Sequence, residues 1–301
     1  MRARPLLAAV LAMAAAATLG ARPLDLPPPD SGAAAVIVVD PATGMILHEK
    51  NADARRVPAS TQKLLSALLI VDRGGLDEMV RISAADTRVV PSKLWLQAGQ
   101  RYTRRQLLEA LLVKSANDAA MALARDHSGS VDGFAAAMNE RAWQLGCRNS
   151  RFVNPHGLTA DRQYSSARDL SLIAQAAYAE PTIREIVGRR SIDFEYDGGA
   201  AKSFENTNKV LLESRFCTGM KTGFTTAAGY CLVASGQFGA RELLTIVLGA
   251  GAGEVWRDSH RLLTWGLGIR VRRERQPDAG DQPAAAADDG GRLAAGDNDH
   301  D

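Results

Sequence analysis

"VPASTQKLLSALLIVDRGG", residues 57–75, decides the fold. Leu64, Leu65, Leu68, Leu69 and Val71 cover most of a helix circumference rather than one stripe. A helix that is apolar on nearly every side is a buried one. Gly74 and Gly75 end it. Upstream, "AAAVIVVD" (33–40) and "MILHEK" (45–50) are strand-length runs joined by the turn "PATG", so residues 33–50 read as a β-hairpin. Downstream, "MVRIS" carries a short β signal, and Thr103 with Gln106 forms a capping-box pattern before "LLEALLV". "KSANDAAMALA" and "DGFAAAMNERAWQLGC" read as further helices, and Ser166 with Asp169 caps "LSLIAQAAYA". Strand signals return in "RRSIDFEY" and in three apolar runs in hairpin order, "FCTGMKTG", "GYCLVAS" and "RELLTIVLGAG", before a last helix, "EVWRDSHRLLTWGLG". Strands at both ends and helices between them predict an α+β fold. An antiparallel sheet is flanked by helices, with an inserted all-helical lobe and a site in the cleft between them.

The chain has 301 residues, 46% of them hydrophobic, and 36 Lys+Arg against 34 Asp+Glu leave a net charge of +2. No basic stripe interleaves with aromatics, so nucleic acid is not an implied partner. "MRAR" followed by the uncharged, Ala-rich "PLLAAVLAMAAAATLGA" has the layout of a secretory signal, assigned to residues 1–21. A transmembrane helix is the main alternative. Residues 22–32, "RPLDLPPPDSG", read as a proline-stiffened linker, and 33–271 as the folded domain. Residues 272–301 are rich in Ala, Asp and Gly, lack aromatics and are expected to be disordered. They show no amphipathic pattern, so no membrane anchor is evident apart from the signal segment. Cys147, Cys217 and Cys231 leave an odd count. Cys217 and Cys231 flank a predicted turn near Phe224 and could face each other across two strands, or all three could be buried small hydrophobes. No Cys/His spacing points to a metal.

Within the opening stretch, Ser60 precedes Lys63 by three positions, and residues i and i+3 share a helix face. A serine at a first turn lies in the positive field of the helix N-terminus, and a neutral lysine one turn on can take its proton. The same pair also reads as a capping serine with a solvated lysine, and on the order of one Ser-x-x-Lys occurs by chance in a chain of this length. Two further stretches bear on the choice. "SAN", Ser115 to Asn117, falls at a predicted junction between helices, where its polar groups would project from a loop. "KTG", Lys221 to Gly223, lies near the end of a predicted strand, and Gly223 would let backbone approach a ligand closely.

The order Ser-x-x-Lys, Ser-x-Asn, Lys-Thr-Gly is the motif set of penicillin-binding proteins and class A β-lactamases. With "LLVKSANDAAMALA", "FVNPHGL", "YSSARDLSLIAQ", "NTNKVLL" and "GMKTGFTTAAGYCLVASG", the chain resembles the low-molecular-mass penicillin-binding proteins, the D-alanyl-D-alanine carboxypeptidases, over about residues 33–270. The resemblance implies a β-lactamase/DD-peptidase-like fold and a serine carboxypeptidase without a cofactor or metal. Ser60 would form an acyl-enzyme, Lys63 would be its base, and Ser115 would relay a proton to the leaving amine. Asn117 would hold the substrate amide, Lys221 and Thr222 the terminal carboxylate, and the N–H groups of Ser60 and Phe224 the oxyanion, with Gly223 in the binding strand. Peptidoglycan stem peptides would be the substrates and β-lactam antibiotics covalent inhibitors, outside the cytoplasmic membrane in the periplasm or cell wall.

There are departures from the family pattern. Ala116 stands where Gly is common, and Phe224 where some members have His. The C-terminal β-rich domain and anchor helix of many relatives are not readable here. A β-lactamase is disfavoured because "NPHGLTADRQYSS" supplies no Glu to activate water. A DD-transpeptidase or endopeptidase stays open, as does a non-catalytic cell-wall scaffold of the same fold. His156 reads as a structural turn residue, and Asp169 as a capping carboxylate rather than a base.

Overall fold

The computed structural model describes residues 26–269. The expected signal segment and C-terminal tail lie outside them. Nine strands and eight α-helices are defined in this range. The main sheet is antiparallel, in the order β2 (Ile46–Lys50), β1 (Ala35–Val39), β9 (Arg241–Ala250), β8 (Gly229–Phe238), β7 (Cys217–Thr225). The N-terminal hairpin therefore joins three strands from the far end of the sequence. β1, "AVIVV", is buried at all five positions. Such a run of β-branched residues suits a strand covered on both faces.

One face of the sheet carries Val36, Val38, Leu232, Leu243 and Val247 and packs on Val255, Leu262 and Leu263 of α8 (Glu254–Gly266). The part of the Pro-rich stretch described here is held on the same helix. Trp265 Nε1 donates to the Leu26 carbonyl at 2.8 Å, and Ser31 Oγ donates to Asp258 at 2.7 Å. The other face carries Ile37, Val39, Val233, Leu244 and Ile246 and joins the larger core. That core is organised by α1 (Lys63–Arg73), buried at every position from Lys63 to Ile70, as its all-round apolar pattern requires. It packs against α3 (Asn117–Ser128), α4 (Val131–Gln144) and α5 (Ala167–Ala179).

The capping box of Thr103 and Gln106 opens α2 (Arg104–Glu109) as read from the sequence. At α5 the pair divides its labour. Ser166 Oγ caps by accepting from Asp169 N, whereas the Asp169 carboxylate accepts from Asn149 N and Ser150 Oγ, both at 2.7 Å, and so holds the preceding loop. The helical lobe also contains two small ladders, β3 (Met79–Arg81) with β4 (Arg101–Thr103) and β5 (Ser191–Glu195) with β6 (Ala201–Glu205). The lobe is therefore not all-helical: β3 and β5 are the strands read from "MVRIS" and "RRSIDFEY", and their partners β4 and β6 carry little periodic signal. Arg104 ties the lobe together. It pairs with Asp126 and Glu78 and donates to the carbonyls of Gly74 and Gly75.

All three cysteines are free and buried. The β7–β8 register pairs Cys231 with Gly223 and Cys217 with Gly236, with a bulge between Cys217 and Gly219. Cys217 packs in the α8 cluster and Cys231 in the larger core, so no bridge joins them. The hairpin turns after Thr225, which pairs with Gly229, rather than at Phe224.

Candidate active site

Ser60 sits in a one-turn 3-10 helix, Ala59–Gln62, that runs into α1. No side chain caps either helix. Ser60 is thus not a cap. Its Oγ lies 2.8 Å from Lys63 Nζ and donates to the His156 carbonyl at 3.2 Å. Ala59, just before it, takes φ +49°, a left-handed conformation costing about 1–2 kcal/mol in an L-residue. Two glycines hold it there. A Cβ on Gly157 would stand 2.0 Å from the Ala59 carbonyl oxygen, and one on Gly223 would stand 2.9 Å from Ser60 N. Only glycine permits backbone to approach the serine this closely from both sides.

Lys63 has no exposed surface. Its Nζ lies 2.8 Å from Ser60 Oγ, 2.8 Å from Asn117 Oδ1 and 2.7 Å from the His156 carbonyl. Burial holds its pKa well below the ordinary lysine value; the charge of Lys221 pushes it the same way, and Asp118 opposes. A neutral amine has two N–H bonds and one lone pair. With Asn117 Oδ1 and the His156 carbonyl taking the two hydrogens, the lone pair faces Ser60 Oγ, whose single hydrogen turns from the His156 carbonyl to the amine before it is transferred. That is the geometry of a general base on its nucleophile.

Asn117 and Ser115 come from a break between helices. A π-helical turn, Ala110–Lys114, ends at Ser115 in the left-handed region (φ +64°), and Asn117 opens α3. Asn117 Nδ2 donates to the Val90 carbonyl at 2.9 Å, which orients the amide so that its oxygen meets Lys63. Its neighbour Asp118 is buried and accepts from the N–H groups of Leu94 and Leu96, fixing the flanking loop. The Ser115 hydroxyl makes no hydrogen bond among the described residues, and the residue is 8% exposed.

The opposite wall is β7, the edge strand of the sheet. Lys221, Thr222, Gly223 and Phe224 pair with Val233, Leu232, Cys231 and Tyr230 of β8. Lys221 is fully buried; Nζ donates to the Thr222 carbonyl at 3.1 Å, and burial lowers its pKa to about 7. Thr222 Oγ1 meets Thr207 Oγ1 at 2.7 Å. Phe224 is 53% exposed and packs its ring on Tyr230 at 4.4 Å. One residue further, Thr225 accepts from Thr159 at 3.0 Å, tying the strand to the turn that follows His156.

Of the residues singled out in the sequence, Ser60, Lys63 and Asn117 are in direct contact, and Gly223 abuts Ser60. Lys221 acts on Lys63 through its charge rather than by a hydrogen bond. His156 is more than a turn residue, because its carbonyl accepts from both Ser60 and Lys63. Its ring is not an acid–base group. Nδ1 accepts from Leu158 N, and burial with the charge of Lys63 drives its pKa to about 3. Sequence reasoning missed this carbonyl because backbone oxygens leave no residue-type signal; the glycine after it is the one hint. Thr207, in "NTN", was also missed as a partner of Thr222.

The fold is that of the DD-peptidases. It matches a crystal structure of D-alanyl-D-alanine carboxypeptidase from Mycobacterium tuberculosis H37Rv with TM-score 0.77 and 32% identity, covering 82% of this chain and 95% of that one. The Streptomyces K15 DD-transpeptidase matches with TM-score 0.76 and 29% identity, over 80% of this chain and 99% of that one. In sequence, the D-alanyl-D-alanine carboxypeptidase DacF of Bacillus subtilis is 32% identical over 223 residues, 72% of this chain and 57% of the relative. The family model described as D-alanyl-D-alanine carboxypeptidase matches residues 24–252, and the chain belongs to that family. It spans about three fifths of the length of the first curated relatives it matches.

Proposed function

We propose that this chain is a serine-type D-alanyl-D-alanine carboxypeptidase that removes the terminal D-alanine from peptidoglycan stem peptides. The observation that carries the reading is the buried Lys63 amine 2.8 Å from Ser60 Oγ, with its other two directions taken by Asn117 and His156. Ser60 Oγ attacks the carbonyl of the penultimate D-alanine and passes its proton to Lys63. The N–H groups of Ser60 and Phe224 receive the developing oxyanion. Ser115, whose hydroxyl is unpartnered, relays a proton to the departing D-alanine amine. Water then opens the acyl-enzyme and frees Ser60. The Thr222 hydroxyl, with the Lys221 charge behind it, takes the terminal carboxylate, and Asn117 holds the substrate amide. A β-lactam acylates Ser60 by the same attack. The signal-like residues 1–21 support export, and hence work in the periplasm or at the cell wall. No helix of the described residues is long and apolar enough to cross a membrane.

A second reading, a DD-transpeptidase, is favoured by the likeness to the Streptomyces K15 DD-transpeptidase. It differs only in the acceptor, an amine in place of water. Mass analysis of a peptide ending in D-Ala-D-Ala decides between them. Release of one D-alanine, lost in Ser60→Ala, is the expected result. Transfer to an added glycyl amine without hydrolysis selects the second reading. Intact peptide with no penicillin adduct on Ser60 sinks both.

A further inference from the structure

We propose that Asn154 is a positioning residue for the Ser60–Lys63 pair, acting through the peptide group that joins His156 to Gly157. The proposal rests on the reading of Lys63 as the base for Ser60. The C=O end of that peptide accepts from Lys63 Nζ at 2.7 Å and from Ser60 Oγ at 3.2 Å. The N–H end of the same peptide, Gly157 N, donates to Asn154 Oδ1 at 2.8 Å. The two ends of one rigid plane therefore connect the Asn154 amide to the catalytic lysine.

Apart from the close packing of Gly157 against the Ala59 carbonyl, few contacts fix this plane. No backbone–backbone hydrogen bond joins residues 154–158 among themselves in the described structure. Their turn is spanned by side chains instead. Asn154 Oδ1 also accepts from His156 N at 3.3 Å, its Nδ2 donates to the Leu158 carbonyl at 2.9 Å, and Ser66 Oγ donates to the Pro155 carbonyl at 2.8 Å. Gln62, next to Lys63 in sequence, donates from Nε2 to the Asn154 carbonyl. An Asx turn of this kind sets the peptide planes that follow it. Gly157 itself, at φ +89°, offers a pivot rather than a restraint.

The His156 carbonyl does two things that can be separated. By accepting from Lys63 it favours the ammonium form. By taking one hydrogen of the neutral amine it aims the lone pair at Ser60. Releasing the plane should therefore lower the acylation rate at its plateau and also move the acid limb of the pH–rate profile to lower pH. The charged and titratable groups facing Lys63 are Lys221 on β7, Asp118 on α3 and the neutral His156 ring. None of them is altered by a change at Asn154.

The test is the rate of acylation by a fluorescent penicillin against pH, on the full chain. Asn154→Ala is expected to lose about 10- to 100-fold at the plateau, the scale of a small misplacement at a reacting centre, with its acid limb shifted to lower pH. Asn154→Asp keeps an oxygen for both N–H groups, gives up the bond to the Leu158 carbonyl, which retains Gln163 Nε2 as a donor, and adds a negative charge near Lys63. Its acid limb is expected to move the opposite way, to higher pH. A purely structural role lowers the reactive fraction and moves neither limb. Limbs that stay at the wild-type position in both variants overturn the proposal, and so does an Asn154→Ala plateau within twofold of wild type. If Asn154→Ala does not accumulate as folded protein, Asn154→Ser takes its place and is read for the same plateau loss and the same shift of the acid limb to lower pH. A wild-type protein that takes up no penicillin at any pH overturns the functional reading and this proposal together.

Discussion

Replacing Lys221 with Met should make the protein more stable and less active, and the size of the gain depends on pH. Lys221 is fully buried, and its pKa falls from 10.5 to about 7 through loss of hydration. At about 1.4 kcal/mol for each tenfold change in protonation, that drop corresponds to roughly 4–5 kcal/mol of stability forgone. Above the unfolded value of 10.5, the lysine is neutral in both states and the penalty vanishes. As pH falls toward about 7, the unfolded chain takes up a proton that the folded chain refuses, and stability declines. Below about 7 both states are protonated and the penalty is complete. Met fills a similar volume without the charge, but forfeits the hydrogen bond to the Thr222 carbonyl, worth about 1 kcal/mol. The net gain for Lys221→Met near neutral pH is then about 3 kcal/mol, or roughly 6–12 °C in Tm for a domain of this size. Loss of the Lys221 charge also raises the pKa of Lys63, so residual acylation should need a higher pH. Denaturant unfolding of both proteins from about pH 7 to 10 measures the difference. Curves that run parallel over this range, or a variant less stable than wild type at pH 7, would refute the desolvation argument.

Three further outcomes are expected. Gly223→Ala brings a Cβ to 2.9 Å from Ser60 N and 3.1 Å from Thr61 N. The strand must back away, which should cost about 1–3 kcal/mol in stability and about 100-fold in the penicillin acylation rate. Arg104→Met leaves Asp126 and the Gly74 and Gly75 carbonyls without their shared donor; unfolding in urea should show a loss of about 3 kcal/mol. The thiols of Cys147, Cys217 and Cys231 are raised to about 12, 11 and 11 by burial. A thiol reagent near pH 8 should leave them intact in the native protein and count all three in guanidinium without reductant.

The parts of this molecule that were legible in the sequence are those written in side-chain type. The central helix announced itself by leucines on every side, and Ser60, Lys63, Ser115, Asn117 and Lys221 by three spaced motifs. What stayed hidden is carried by the backbone or by distant pairing. The His156 carbonyl has no side-chain signature, although it touches both Ser60 and Lys63. The pairing of β1 with β9 joins residues some two hundred positions apart, as Val36 with Val247. Counting outward from a guessed turn put Cys217 opposite Cys231, but the hairpin turns later and a bulge shifts the count, so the two thiols face different cores. A one-residue slip changes which face every side chain occupies, and the one local mark of the bulge is Gly219, at φ +133°.

The attachment of residues 26–31 to α8 has a consequence for the molecule as a whole. Leu26 is bonded to Trp265 and Ser31 to Asp258, so the two ends of the described domain converge on one helix, on the sheet face opposite the core that embeds Ser60. Residues 26–31 and 254–266 are thus neighbours in space although more than two hundred positions apart in sequence. Joining residue 269 to residue 26 and reopening the chain at the exposed Gly198–Gly199 hairpin tip would leave every strand register of the main sheet as it is.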